Sequence, residues 1–437
     1  MITYPDKLEI VPLTKPPVAS VRVPGSKSIT NRALVLAALA GDSFPGDLWG
    51  VLRSEDTEVM IEALRNLGFT VETEWRKNFV RVYRGENDLI PAKQADLFVA
   101  NSGTSMRFLT ALVSLGHGRY RLDGVPRMRQ RPIGDLLAAL NQLGVRAWSE
   151  NDNGCPPVIV EADWLAGGHA RVRGDISSQF LSGLLMVAPF ARNDVILEVE
   201  GPLISEPYVS MTVAMMRRWG AKISVKDRAF HVTASREYRL CEYQIEPDAS
   251  AASYFWAAAA IAGGEVCVEG LTTQSLQGDV RFVDVLERMG ARIERETTRI
   301  GVHGAPLLGI DIDMNDISDT VMTLAAVACF AEGPTTIRNV AHIRHKETDR
   351  LAALATELRR LGAEVAEFAD GLTITPKPLH GAEVETYNDH RMAMSLALIG
   401  LRVPGVVIKN PGCVAKTYPA FFRDLEALRG GEYERPS

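Results

Sequence analysis

Cysteine is scarce and has no regular spacing in this chain of 437 residues: Cys155, Cys241, Cys267, Cys329 and Cys413 are odd in number and form no CxxC pair. That excludes a disulfide framework and a cysteine-based zinc site, and it fits a reducing compartment. Positive charge is short as well. With a net charge of −6 and no basic tail or block, general affinity for nucleic acid is excluded, and an anionic partner needs a local basic site. No apolar run reaches membrane-spanning length without interruption by glycine, proline or charge, and MITYPDKLEIVPL lacks the basic and apolar regions of a signal peptide. A soluble cytoplasmic protein is expected. With 46% hydrophobic and 23% charged residues the composition is that of a globular chain, and its length predicts two domains.

What the chain does contain is a repeat. IEALRNLGFTV, LLAALNQLGVRA, VAMMRRWGAKI, VDVLERMGARI and LATELRRLGAEV set Gly68, Gly144, Gly220, Gly290 and Gly362 at intervals of 76, 76, 70 and 72 residues. FRDLEALRG is a worn sixth copy, its Gly430 another 68 residues on. Each copy predicts an amphipathic helix closed by a left-handed glycine and followed by a strand. A second series is interleaved, with helices from Asn31, Met106, Gln179, Ala251, Thr320 and Arg391 that are apolar around most of their circumference and should be buried. With β-branched segments such as DVILEVEG and EVCVEGL between them, six βαβ-type units are expected, three to a domain.

Each buried helix follows a polar cluster: GSKS (25–28), NSGTS (101–105), GDISS (174–178), PDAS (247–250), NDISD (315–319) and YNDH (387–390). Serine, aspartate and asparagine there are explained as N-caps. Lys27, Arg32, Arg107 and Arg391, placed in the first turns, are not, because a cation opposes the positive end of the macrodipole by about 0.3–1 kcal/mol. An anion held at those helix ends resolves the conflict, since each charge-assisted hydrogen bond to it is worth about 1.5–3 kcal/mol.

Three further stretches narrow the ligand. PGSKS is not a nucleotide-binding P-loop, because Ser26 stands where glycine must precede the lysine. Ser28 and Arg32, one turn apart, can grip a single ligand beside Lys27. In GVPRMRQRPIG, Arg127 and Arg129 read as a solvated loop, whereas Arg131, before Pro132 and at a helix start, can hold a carboxylate or phosphate bidentately. HIRHKETDRL offers Lys346, Glu347 and Arg350; Glu347 and Arg350, three apart on a helical face, can also be explained as a surface ion pair. His342 and His345 lack companion ligands, so no metal site is expected.

PGSKSITNRALVLAALA, NSGTSMRFL, GVPRMRQRPIG, DISSQFLSGLLMVAP, EPDASAASYF, LQGDVRF, HKETDRL, TYNDHRMAMS and CVAKTYP together, in order from about residue 20 to about residue 420, closely resemble the 5-enolpyruvylshikimate-3-phosphate synthase family. The resemblance implies an α/β protein, a two-domain inside-out α/β barrel in which each domain holds three βαβαββ repeats. Residues 1–20 with 247–437 would form the C-terminal-type domain, carrying the phosphoenolpyruvate side and the catalytic carboxylates. Residues 21–246 would form the N-terminal-type domain on the shikimate 3-phosphate side, with the active site in the cleft between the two.

The implied reaction transfers the enolpyruvyl group of phosphoenolpyruvate to the 5-hydroxyl of shikimate 3-phosphate and releases phosphate. Carried over by motif, shikimate 3-phosphate would meet Ser28, Arg32, Ser177, Ser178, Ser205 and Tyr208. Phosphoenolpyruvate would meet Lys27, Gly103, Arg131, Gln179, Arg350, Arg391 and Lys416, with Asn101, Thr104 and Arg107 shaping its pocket and His342 and Lys346 beside it. Asp319 resembles the group that takes the hydroxyl proton, Glu347 the one near the methylene carbon, and Lys27 one that shares proton transfer. Gly103 is read as bringing backbone close to the ligand, a turn glycine being the competing account. Neither metal nor cofactor is implied, and the expected partners are these two small molecules, met by a monomer without nucleic acid or membrane. The alternatives are the transferase acting on UDP-N-acetylglucosamine, disfavoured because residues 107–134 hold no cysteine, and a non-catalytic binder of phosphorylated metabolites.

Overall fold

The computed structural model describes residues 2–40, 46–84, 88–239 and 242–430. The chain divides into two units, one of Met1–Pro24 with Glu246–Ser437 and the other of Gly25–Ile245. Helices alternate in character along both. The buried series is α1 (Lys27–Leu39), α3 (Gly103–Leu112), α5 (Ser178–Val187), α7 (Ala249–Ala262), α9 (Val321–Ala328) and α11 (His390–Gly400). Between them come the half-exposed α2 (Glu55–Asn66), α4 (Gly134–Gln142), α6 (Glu206–Arg218), α8 (Phe282–Arg288), α10 (Arg350–Arg360) and α12 (Phe421–Glu426).

The cause is visible in side-chain type. In α7 every residue from Ala249 to Ile261 is buried, and its alanines leave room for α9 and α11 to pack directly against it. Bulkier side chains such as Phe255 and Trp256 fill what remains, each contributing about 1.5–3 kcal/mol by leaving water. In α10, by contrast, Leu351, Leu354, Ala355 and Leu358 face inward and Arg359 and Arg360 lie outside.

Strands form six small sheets: five share one pattern, a parallel pair and then two antiparallel partners, and the sixth has a parallel pair and a single antiparallel partner. Gln94–Phe98 pairs parallel with His117–Asp123, followed antiparallel by Val158–Asp163 and Arg146–Ser149. A parallel pair needs a crossover, and in four of the six sheets a buried helix supplies it directly. In chain order five repeats read βαβαββ.

The repeats on either side of the two chain crossings exchange their leading strands. Val18–Val21 precedes α1 in the chain but pairs with Glu265–Glu269, while Glu242–Gln244 precedes α7 but pairs with Gly46–Trp49. Among the described residues the sixth repeat has no hairpin of its own; Lys7–Ile10 pairs antiparallel with Val406–Lys409 instead.

Gly68, Gly144, Gly220, Gly290 and Gly362 all have left-handed backbone, with φ from 85 to 112°. Gly430 does not: at φ −79° it is an ordinary right-handed helix end. Cys155, Cys267, Cys329 and Cys413 are free thiols, and Cys241 lies outside the described residues. Among the described residues no helix is long and apolar enough to cross a membrane.

A Cβ at position 220 would meet only the Arg239 side chain, 4.0 Å away, so Gly220→Ala tests conformation alone. The substitution should cost about 1–2 kcal/mol in urea unfolding, whereas Gly430→Ala should change stability by less than about 0.5 kcal/mol.

Candidate active site

In the unit Gly25–Ile245 the starts of α1, α3, α5 and α6 are joined by side chains. Ser26, Ser102 and Ser177 cap α1, α3 and α5 by accepting backbone N–H bonds. Lys27 opens α1 and pairs with the buried Asp56 of α2 at 3.3 Å. Arg32 and Arg107 stand one turn deeper than the reading that placed them in first turns, because α1 begins at Lys27 and α3 at Gly103.

Arg32 is 2% exposed. It donates to Thr212 Oγ1 at 2.7 Å, Ser182 Oγ at 3.3 Å and the Ser28 and Tyr208 carbonyls at 3.0 and 3.1 Å, and its guanidinium lies over the Phe108 ring. These partners are neutral, and burial pushes its pKa down to about 10. Arg32 thereby ties α1 to α5 and α6, with Ser28 and Tyr208 held through their carbonyls. Ser205, at the start of α6, is buried in left-handed backbone at φ 50°, an uncommon conformation for a residue with a side chain. Ser178 is buried at the first position of α5.

Gly103 has a packing reason that the sequence did not offer. Its φ is not positive; a Cβ there would sit 2.4 Å from Arg131 Nη2 and 2.9 Å from Arg107 Nη1. The missing side chain makes room for two buried guanidiniums. Arg131 donates to the Asn101 carbonyl at 3.1 Å, and Arg107 to the Gly103 and Pro132 carbonyls at 3.2 and 2.9 Å. Arg131 follows the short helix Met128–Gln130 rather than starting α4, which begins at Gly134. Gln179 donates to Thr104 Oγ1 at 3.3 Å, linking α5 to α3. Arg127 and Arg129 turn to Gln130 and Asp123.

The other unit builds its set around Arg350, 1% exposed. It donates to Asp389 Oδ2 at 2.8 Å, Glu347 Oε2 at 2.8 Å and Asp319 Oδ1 at 3.3 Å. Burial opposes its charge, but Asp389, Glu347 and Asp319 more than offset that and hold the guanidinium strongly basic. Arg391 reaches Asp319 Oδ2 at 2.7 Å, and Lys416 lies 3.9 Å from Glu347 Oε1. Glu347 and Arg350 are thus no surface pair: Glu347 is 8% exposed and precedes α10 instead of sharing its face. NDISD also departs from the capping pattern, forming a short helical turn, Asn315–Thr320, that kinks at Ile317 and carries Asp319 toward both arginines.

Sequence reasoning passed over Asp389, Asp56, Ser182 and Thr212 as functional residues. Asp389 had a signal, as the aspartate of YNDH; it caps α11 through the Arg391 N–H at 2.9 Å and clamps Arg350 with the same carboxylate. Of the three carboxylates around Arg350, the Asp389 and Glu347 side chains are 0% and 7% exposed and Asp319 18%. Asp319 is the most exposed of the three. Among the described residues, Glu265, Glu294 and His303 are the one group close enough to share a metal ion, and they read as a strand-face ion pair beside Arg292.

Five βαβαββ repeats and a sixth sheet closed by the first strand of the chain, with cations at several helix starts, make up the fold of the EPSP synthases. EPSP synthase from Acinetobacter baumannii superposes with a TM-score of 0.81 at 25% identity, covering 97% of this chain and 98% of that one. The enolpyruvyl transferase NikO from Streptomyces tendae shares the fold with a TM-score of 0.77 at 21% identity, covering 97% of both chains. The family model described as EPSP synthase (3-phosphoshikimate 1-carboxyvinyltransferase) matches residues 13–425. A 3-phosphoshikimate 1-carboxyvinyltransferase of Nostoc punctiforme is 52% identical over 420 residues, which are 95% of this chain and 98% of the relative. One from a Shewanella species is 46% identical over 422 residues, again 95% and 98%. The chain belongs to the EPSP synthase family.

His342 is buried in the same set, its Nε2 2.9 Å from Ser318 Oγ. Burial, aided by Lys346, pushes its pKa from 6.5 down to about 3. The unfolded chain therefore takes up this proton first, so the neutral ring's contribution to stability is complete above about pH 6.5 and falls away as pH drops toward about 3. The His342→Asn variant should gain on the parent in urea midpoint below about pH 6, with a constant difference above about pH 7, and the His342 ring signals should not titrate by NMR between about pH 5 and 8.

Proposed function

We propose that the chain transfers the enolpyruvyl group of phosphoenolpyruvate to the 5-hydroxyl of shikimate 3-phosphate with release of phosphate, in the shikimate pathway toward aromatic amino acids. Its relatives named 3-phosphoshikimate 1-carboxyvinyltransferase support this over the UDP-N-acetylglucosamine alternative. The observation that carries the mechanism is Asp319, the most exposed of three carboxylates on one buried arginine and hydrogen-bonded to two arginines at once. A non-catalytic binder needs the cations but no accessible carboxylate among them.

Both side-chain sets serve one reaction in this proposal. Lys27, Arg131 and Arg107, with Asn101, Gly103 and Thr104, meet the phosphate and carboxylate of phosphoenolpyruvate together with Arg391, Lys416 and the Arg350 charge. Ser28, Ser177, Ser178, Ser205 and Tyr208 hold shikimate 3-phosphate, to which Arg32 contributes its charge from beneath. Gln179 stands between the ligands. Addition followed by elimination through a tetrahedral intermediate needs a base at the hydroxyl, an acid at the methylene carbon and cations for the departing phosphate. Asp319 is the base, Glu347 the acid, and Lys27 shares proton transfer while neutralising charge. Both substrates are small anions, and the proposal takes them to be met by a monomer acting without nucleic acid, in keeping with the net charge of −6.

Mixing the two substrates with the protein should release phosphate, and Asp319→Asn should lower kcat by about 10²–10⁴ without loss of fold. Absence of turnover by the parent chain would remove the proposal. In the same assay Glu347→Gln should alter the pH–rate profile. Gly103→Ala, which drives a methyl group into Arg131, should raise KM for phosphoenolpyruvate roughly tenfold and leave that for shikimate 3-phosphate within about twofold.

A further inference from the structure

The LQGDVRF stretch has no role in the reaction as drawn, yet its aspartate is buried. Asp279, 3% exposed, lies in the helical turn Gly278–Arg281 and accepts a short hydrogen bond from Ser250 Oγ. Ser250 is the second residue of α7, and its oxygen in turn lies 3.4 Å from Arg391 Nη2. The same nitrogen reaches Asp319 at 2.7 Å. Two residues earlier, Gln277 accepts from the Ala249 N–H at 3.0 Å and donates to the Pro247 carbonyl at 2.7 Å, so the stretch also fixes the start of α7.

We infer that Asp279 is a positioning residue for phosphoenolpyruvate binding, acting through the Ser250 hydroxyl on the Arg391 guanidinium. Ser250 has one hydroxyl hydrogen, which it donates to Asp279, and this turns the hydroxyl's lone pairs toward Arg391. Hydrogen bonds in series strengthen one another, and a carboxylate at the far end makes the serine oxygen a better acceptor. Arg391 is then held by Asp319 and by Ser250 through the same nitrogen, which fixes the plane of its guanidinium. The simpler account, in which Asp279 only favours the positive end of α7, predicts no preference for one substrate.

The inference rests on the proposed role of Arg391, so the test separates the two. KM for each substrate is measured in Ser250→Ala, Asp279→Asn, their double variant, Ser250→Thr and Arg391→Lys, alongside thermal melts. Ser250→Ala and Asp279→Asn should each raise KM for phosphoenolpyruvate about fivefold and leave KM for shikimate 3-phosphate within about twofold. The double variant should be no worse than the worse single one, and Ser250→Thr, which keeps the hydroxyl, should restore the parent value. Effects that multiply in the double variant, fall equally on both substrates or lower KM would overturn the relay. If Arg391→Lys raises KM for phosphoenolpyruvate and the other variants do not, the relay fails and the site stands. An unchanged KM in Arg391→Lys overturns the role of Arg391 and the relay with it.

Discussion

Burying a guanidinium costs several kcal/mol in lost hydration, and Arg350 is tolerated at 1% exposure because Asp389, Glu347 and Asp319 surround it. These groups belong to three stretches of chain that have no other reason to converge. Holding them at hydrogen-bond distance sets where α10 and α11 begin and where the 315–320 turn ends. Removing Asp389 or Glu347, whose side chains are 0% and 7% exposed, would take compensating charge from a guanidinium that water barely reaches.

The two sets of side chains solve the same electrostatic problem differently. Around Arg350, Arg391 and Lys416, three carboxylates compensate the positive charge, and the set can be dry and still stable. In the other unit the buried Arg32 is satisfied by hydroxyls and carbonyls, which meet its donors without cancelling its charge. Arg107 and Arg131 flank the empty side of Gly103 nearby in sequence and in space. A multiply charged anion gains most from such a place, since the positive field was assembled during folding and needs no reorganisation when the ligand arrives.

Repetition is what makes these arrangements affordable to fold. In every repeat a buried helix leads into a strand that belongs to a parallel pair, and six such helix starts were available for capping serines and aspartates or for cations. Five use side-chain caps, from Ser26, Ser102, Ser177, Asp248 and Asp389. The one that does not, before α9, is the one that presents Asp319.

Much of this was legible in the residues. Apolar periodicity marks both helix series, five glycines mark left-handed closures, and the nine motifs carry the family. Those features are local: they depend on side chains a few positions apart and on backbone angles only glycine adopts cheaply. Other features depend on groups distant in sequence and had no local signature. That Gly103 makes way for Arg131, that Asp389 rather than a ligand fills one side of Arg350, that the leading strands are exchanged and that the first residues complete the sixth repeat all follow from which surfaces meet after collapse. Sequence by itself determined the elements, their order and the inventory of charges. Tertiary structure alone decided which charges neutralise one another and which remain to attract a ligand, because desolvation and Coulomb energy depend on distance in space and not on separation along the chain.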